Sequence, residues 1–191
     1  MAATLPVSEE SKWIEGCRKG DRSAQHAVFE KYKRRMYALC YRYCGSSAEA
    51  EDAMMQGFMK VFTKIDQYES KGSFEGWVKR IMIFESLQSV RKQKQLFVHM
   101  EAADNDGHNL EPAIMPEGLE MEDYMQMINA LPLGYKTIFN LYAIEGYSHQ
   151  EIAELLGISV NTSKSQLSRA RALLQAKLEQ INIQNKNRFN I

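Results

Sequence analysis

No uninterrupted apolar run in this 191-residue sequence approaches the roughly 18 residues that suggest a membrane-spanning helix. Its first residues, MAATLPVSEESK, lack a basic stretch followed by an apolar one. No secretory signal is therefore expected, and the expectation is a cytoplasmic protein without membrane insertion. Cysteine is scarce and odd in number: Cys17, Cys40 and Cys44. Cys40 and Cys44 stand four apart on an expected helix, so they could share a metal or stay reduced in a core. No His or Cys pair at zinc-site spacing supports the metal, and free cysteine is commonly buried, which favours the core. His26, His99, His108 and His149 form no local cluster, and no metal or other cofactor is expected. Strand-length alternation and internal repeats are also missing. What is present is 45% hydrophobic and 25% charged residues, the composition of a core-forming chain rather than a disordered one.

Net charge is missing too, but only on average. Residues 1–95 carry a balance of +5, residues 96–130 a balance of −8 with no Lys or Arg at all, and residues 131–191 a balance of +3. Two basic blocks flank an acidic connector, which points to nucleic-acid contact by the ends.

The coarse pattern is helical almost throughout. In SAQHAVFEKYKRRMYALCYRYC the apolar positions Ala27/Val28, Tyr32, Met36/Leu39 and Tyr43 recur at helical spacing, and Gly45 ends the run. Ser46 or Ser47 can cap the next helix, with Glu49, Glu51 and Asp52 in the early turns beside its positive end. That helix gathers Ala50, Met54, Phe58, Val61, Phe62 and Ile65 on one face and turns Asp52, Met55, Gln56, Met59 and Thr63 away from it. Two outward methionines suit an adaptable binding surface, although Met59 could instead be covered by the preceding helix. DQYESKGSF reads as a loop, and a third helix, FEGWVKRIMIFESLQSVRKQKQ, becomes basic at its end. Residues 98–118 have Gly, Asn, Asp and Pro but no period, and read as a linker or a segment ordered by a partner. Helices resume in LEMEDYMQMINAL and GYKTIFNLYAI, and QINIQNKNRFNI is a polar tail expected to fray.

The stretch SHQEIAELLGISVNTSKSQLSRARALL carries the most chemistry. Ser148 can cap a helix, with Glu151 completing a capping box; Gly157 can end it in the left-handed conformation; Ser159 can cap the next. Short helix, glycine turn and second helix make a helix-turn-helix pattern. At 100° per residue Val160, Leu167, Ala170 and Leu174 share the core face, while Asn161, Lys164, Ser165 and Ser168 lie opposite with Arg169 at the edge. Ser and Asn can hydrogen-bond base edges, and Lys and Arg reach bases or phosphates. No Asp or Glu lies between Gly157 and Leu178 to repel DNA. The competing reading is a solvated face of an ordinary helical hairpin.

The segment from Leu131 to Leu178 closely resembles region four of bacterial RNA polymerase sigma factors, in their extracytoplasmic-function (ECF) group. Independently, SSAEAEDAMMQGFMKVFTKIDQYESKGSFEGWVKRI, with Gly72, Phe74 and Trp77 in a Gly-x-Phe-x-x-Trp pattern, resembles region two. The resemblance implies an all-α chain of two small helical domains joined by a flexible acidic linker. Residues 1–97 form the region-two domain, 98–118 the linker, 119–180 the region-four domain and 181–191 the tail.

It implies binding to core RNA polymerase through the β′ clamp helices and the β flap, promoter recognition, melting and transcription initiation. Glu49, Glu51, Asp52, Met55, Gln56 and Met59 fall on the expected clamp face, with Met55-Gln56 replacing a usual Gln-Glu pair. Tyr68, Gly72 and Ser73 are the expected walls for a base flipped from the minus-10 element. Lys79, Arg80, Arg91 and Lys92 lie on the helix behind them, and the last two could equally compensate its dipole. Phe84 and Gln88 stand where relatives often have Asn and Asp, and Phe74 and Trp77 are expected in the core. The minus-35 contacts fall on Asn161, Lys164, Ser165, Ser168 and Arg169, helped by His149 and Gln150, and Ser163 replaces a usual apolar residue. An anti-sigma factor is an expected further partner.

A stand-alone helix-turn-helix regulator is the alternative, but it would need a dimer interface and no region-two match. A helical enzyme built on Glu49, Glu51 and Asp52 has no nucleophile–base pair, ligand set or phosphate loop beside them, so no enzymatic activity is expected.

Overall fold

A computed structural model describes residues 8–93 and 121–189, and these are helical with no strand among them. The chain divides into two compact units between Lys94 and Gln95. The expected linker at 98–118 lies outside the described residues, with His99 and His108.

The first unit contains α1 (Glu9–Arg18), α2 (Arg22–Cys44), α3 (Ser47–Thr63) and α4 (Phe74–Gln93). α2 buries Ala24, Val28, Tyr32, Met36, Leu39, Cys40 and Tyr43, the four-residue recurrence read from the sequence. Gly45 ends it at φ 82°, in the left-handed region where a Cβ is strained. Of the two serines that could cap α3, Ser46 does so, its Oγ accepting from the Glu49 amide at 3.4 Å. α3 buries Ala50, Ala53, Met54, Gly57, Phe58 and Val61. At Gly57 the helices approach closely, and a Cβ there would meet Met82 Sδ of α4. α4 answers with Phe74, Val78, Met82, Ile83, Leu87 and Val90. Cys17 and Cys40 are buried and Cys44 is half-buried, all as free thiols, and burial pushes the Cys17 and Cys40 thiols up.

α1 was not anticipated. Ser8 caps it, accepting from the Ser11 amide at 3.2 Å, Glu9 and Glu10 favour its positive end, and Ile14 and Cys17 are buried.

The second unit contains α5 (Met121–Asn129), α6 (Leu133–Phe139) running into a π-helical turn (Asn140–Ile144), α7 (His149–Leu156) and α8 (Val160–Phe189). The amide of Glu145 reaches back five residues to Asn140 O at 3.0 Å, which closes the π turn. α8 runs from Val160 to Phe189, so most of the expected polar tail at 181–191 lies on the end of that helix. The expected place of Val160 is corrected. Placed by its spacing on the core face, it is 37% exposed, since it begins α8 ahead of the packed turns. The core face starts at Ser163 and proceeds through Gln166, Leu167 and Ala170, all buried.

Candidate functional site

Three surfaces follow from these elements, two on the first unit and one on the second. On α3, Asp52, Met55, Gln56, Met59 and Thr63 are all exposed. Met59 is 59% exposed, so α2 does not cover it, and Met55 is 49% exposed. Glu51 is exposed and accepts from the Ser47 hydroxyl at 3.3 Å, while Glu49 is half-buried in the first turn. Flexible thioethers bordered by Asp52 and Gln56 form a surface able to pack on another protein.

The second surface is the turn between α3 and α4. A 3-10 turn, Ile65–Gln67, leads to Tyr68, whose ring is buried against Phe74 and Trp77 at centroid distances of 5.2 and 5.6 Å. Its hydroxyl donates to Gly72 O at 2.8 Å. Tyr68 therefore braces the loop from beneath, and the expectation of an open wall for a base is corrected for this ring. Gly72 turns at φ 97° and is exposed; Ser73 is exposed too, but its Oγ accepts from the Gly76 amide at 3.1 Å and caps α4. From α1, Arg18 donates to Tyr68 O at 2.8 Å, a support that no local pattern announced. Phe74 is buried as expected, whereas Trp77 is only half-buried, stacked on Phe74 at 5.8 Å.

Beside the loop lies a recess of about 470 Å³ lined by Glu10, Tyr32, Ser73, Glu75, Gly76 and Lys79. The Tyr32 hydroxyl donates to Glu10, and Glu75 accepts from Arg35 at 2.9 Å with Lys79 Nζ 3.9 Å from its other oxygen. Burial, then the Glu10 contact, pushes the Tyr32 phenol up, so it stays a donor. Arg80 is exposed one turn further along α4. Arg91 and Lys92 lie in its last turn, with side chains outside the described residues.

The third surface is the helix-turn-helix. Ser148 Oγ accepts from the Glu151 amide at 3.2 Å while Glu151 Oε2 accepts from the Ser148 amide at 2.8 Å, so the capping box is complete. Gly157 turns at φ 70°, and Ser159 Oγ accepts from the Thr162 amide at 2.9 Å. On α8, Asn161 and Lys164 are exposed, and Ser165, Ser168 and Arg169 are half-buried on the same side. The Ser165 hydroxyl donates to Thr162 O at 3.1 Å, which leaves its oxygen as an acceptor. Gln150 is exposed in the first turn of α7.

His149 behaves differently from its neighbours. Its ring stacks on Tyr142 at 4.4 Å, and Nδ1 is hydrogen-bonded to Ser163 Oγ at 2.9 Å. Arg171 Cζ lies 5.7 Å from the centre of the Tyr142 ring, completing a layered Arg–Tyr–His contact. Burial first, then the charges of Lys164 and Arg171, push the imidazole down from its ordinary value, so it is neutral at neutral pH. Through Nδ1 this ring ties the start of α7 to α8. Ser163 is fully buried, and the histidine supplies the polar partner that an apolar residue would not have needed. A serine four residues before the buried Leu167 was the signal for such a partner; the partner's identity needed the fold.

Two family models match the chain, Sigma-70 region 2 over residues 28–95 and Sigma-70, region 4 over residues 121–174. The ECF RNA polymerase sigma factor SigW of Bacillus subtilis is 31% identical over 181 residues, spanning 89% of this chain and 97% of the relative. The ECF RNA polymerase sigma-E factor of Escherichia coli is 24% identical over 177 residues, 87% of this chain and 92% of the relative. Among solved structures, the sigma factor RpoE in complex with the anti-sigma factor NepR from Bartonella quintana is similar at TM-score 0.52 and 25% identity, covering 82% of this chain and 96% of that one. CnrH, solved with the cytosolic domain of CnrY, shares the fold at TM-score 0.51 and 18% identity, covering 88% of this chain and 96% of that one.

Proposed function

The chain belongs to the sigma-70 family, in its extracytoplasmic-function group, and from that premise we propose how its residues divide the work of initiation. It is a sigma factor that binds core RNA polymerase and gives it promoter choice. Asp52, Met55, Gln56 and Met59 dock on the β′ clamp helices, with Glu49 and Glu51 at the edge of that contact. The exposed Gly72–Ser73 turn and the neighbouring recess receive a base turned out of the minus-10 element. Unstacking a base costs a few kcal/mol, so a preformed recess is needed to offset it. Lys79, Arg80, Arg91 and Lys92 neutralise the adjoining backbone.

Asn161, Lys164, Ser165, Ser168 and Arg169 read the minus-35 element in the major groove, and Gln150 assists at its border. The second unit also meets the β flap. An anti-sigma factor, the kind of protein seen with the Bartonella relative, would compete for these surfaces. The bond-making chemistry belongs to the core enzyme, so the chain itself has no catalytic role, and it works where polymerase works, in the cytoplasm. Among its described residues no helix is long and apolar enough to cross a membrane.

The observation that carries this reading is the bare methionine strip on α3, with Met59 59% exposed, in the same chain as a fully capped helix-turn-helix. A DNA-binding regulator acting alone could use the strip only as a dimer interface, and would not carry the Sigma-70 region 2 match over residues 28–95. Reconstituted transcription with core polymerase on a genomic promoter library, with starts mapped, tests it. Asp52→Lys combined with Met55→Ala should weaken core binding in a pull-down while leaving the fold intact. Unchanged affinity would move the interface elsewhere. Lys164, Ser168 and Arg169, replaced singly and assayed on every single-base variant of the mapped minus-35 element, should each relax preference at one position. Loss of affinity for all sequences alike, with a flatter salt dependence, would make the affected residue a phosphate contact instead.

A further inference from the structure

The strip on α3 carries a chemistry of its own besides its apolar surface. Met55 and Met59 stand one helical turn apart on the same face, and both are exposed, as are Asp52, Gln56 and Thr63 around them. The other methionines whose side chains are described are sheltered: Met36, Met54, Met82 and Met127 are buried and Met125 is half-buried. A thioether sulfur keeps a lone pair that an electrophilic oxidant can take, and access decides which sulfur reacts. The thiols, which compete for the same oxidant, are largely withheld. Cys17 and Cys40 are buried and Cys44 is half-buried, and burial pushes the first two thiols up, which leaves them little thiolate. An oxidant in solution therefore meets Met55 and Met59 in the open, and both belong to the proposed polymerase contact.

We propose that Met55 and Met59 form a reversible oxidation site, at which conversion to sulfoxides keeps the free chain off core polymerase. The oxidant class is hypochlorous acid. Each sulfur attacks the chlorine and hydroxide leaves; water then displaces chloride from the chlorosulfonium. The net change per thioether is one oxygen gained and two electrons lost to chlorine, with one proton and one chloride released. A sulfoxide puts a strong acceptor on a side chain that was apolar. Pressed against another protein without a donor, that oxygen weakens binding by roughly tenfold or more. In the assembled holoenzyme the same sulfurs are covered, so the site acts on loading rather than on complexes already formed. Methionine sulfoxide reductases restore the thioethers, the oxygen leaving as water while a dithiol is oxidised to a disulfide. This rests on the sigma-factor reading and adds regulation to its docking face.

The test treats the full chain with substoichiometric hypochlorous acid and locates the added oxygen by peptide mass spectrometry. Met55 and Met59 should be converted before Met36, Met54 and Met82, with the helical circular dichroism unchanged. Affinity for core polymerase should then fall by roughly tenfold or more, and methionine sulfoxide reductases A and B with a dithiol should restore it. In Met55→Leu combined with Met59→Leu, whatever its own starting affinity, the same treatment should leave the affinity where it was. An equal fractional loss in that variant overturns the inference, and so does a loss in the wild type that the reductases do not reverse. Oxidation of the two methionines without a change in affinity overturns it as well, as does earlier conversion of the buried methionines. Loss of helical signal at the same stage has the same consequence, because unfolding then explains the lost binding. The premises fail by different results: an untreated chain that does not bind core polymerase ends the sigma-factor reading, and oxidation of Met55 and Met59 as fast in holoenzyme as in the free chain ends their docking role.

Discussion

The two units solve the same problem, holding a few helices together, with opposite materials. The first buries large apolar side chains, among them Tyr32, Met36, Tyr43, Phe58, Phe74 and Met82. Its buried polar residues, Glu85 and Ser86, are satisfied by Lys60 and by the Met82 carbonyl. Yet it leaves Met55, Met59 and Phe84 outside. The second keeps Lys136, Thr137, Asn140, Ser163 and Gln166 inside, around a smaller set that includes Ile138, Leu141, Ile152 and Leu167. Short helices supply little apolar area, and an apolar contact alone tolerates sliding. The Ser163 Oγ–His149 Nδ1 bond between α8 and α7 does not, because a shifted helix would break it. A unit proposed to read bases needs its long helix in one register. Both units are also proposed to meet polymerase, and both keep large apolar side chains exposed, Met55 and Met59 in the first and Ile144 and Leu173 in the second.

The largest effect should come from the first unit's aromatic core. Phe74 is 1% exposed and touches Tyr32, Tyr68 and Trp77, so Phe74→Ala should cost about 3–5 kcal/mol of that unit's stability. Both tryptophans, Trp13 and Trp77, lie in this unit, so the midpoint of denaturation followed by their fluorescence reports on it alone. Amide exchange at Ile152 and Leu167 reads the second unit and should stay unchanged. An equal loss of protection there would break the division into separately cored units.

Overpacking gives the next effect. Gly57→Ala drives a methyl into Met82 Sδ where α3 and α4 meet closely, and should cost about 1–3 kcal/mol by the same fluorescence midpoint. Met82→Ala alone opens a cavity, and the double variant should be more stable than the sum of the two changes allows. Strict additivity would mean that the helices adjust around the added methyl.

The contrast between the units also decided what could be read from the sequence. Where burial follows a 3.6-residue period, as on α2 and α3, the sequence states the face and nearly the ends, since Gly45 and Ser46 are local signals. The helix-turn-helix was legible for the same reason: Ser148, Glu151, Gly157 and Ser159 act on their own neighbours. α1 escaped because its period spans barely two turns, and much of its role is an Arg18 hydrogen bond to Tyr68 O, 50 residues away. Tyr68 could be assigned to the loop but not to its underside, because a hydroxyl that returns to Gly72 O leaves no trace in spacing. The His149–Ser163 pair is the same case in the second unit, visible as an oddly polar core position and no more.

Ser163→Ala should sharpen the polar side of the comparison. It removes the partner of His149 Nδ1 and should cost the second unit about 1 kcal/mol, read as faster amide exchange in α7 and α8 with the tryptophan midpoint unmoved. In a His149→Phe background the same change should cost less, because there is then no imidazole to orphan. Equal costs in both backgrounds would reduce the pair to incidental proximity.

The smallest expected effect is a titration, and it joins the inside of the second unit to its proposed reading face. The His149 imidazole is pushed below its ordinary value of about 6.5 by burial, then by Lys164 and by Arg171. Between the lowered folded value and about 6.5 the unfolded chain binds more protons than the folded one, so stability rises with pH across that window. The contribution is complete above about 6.5 and is lost as pH falls through the folded value. Imidazole shifts followed by NMR in the full chain should give a midpoint below that of an unstructured histidine peptide. Lys164→Gln should bring it part of the way back, since it removes one of the two repelling charges but not the burial. Phosphates brought close by bound DNA should raise it as well, by screening those same cations. A midpoint that neither Lys164→Gln nor DNA moves would mean that the ring does not sense the reading face, and that His149 is packed for the turn alone.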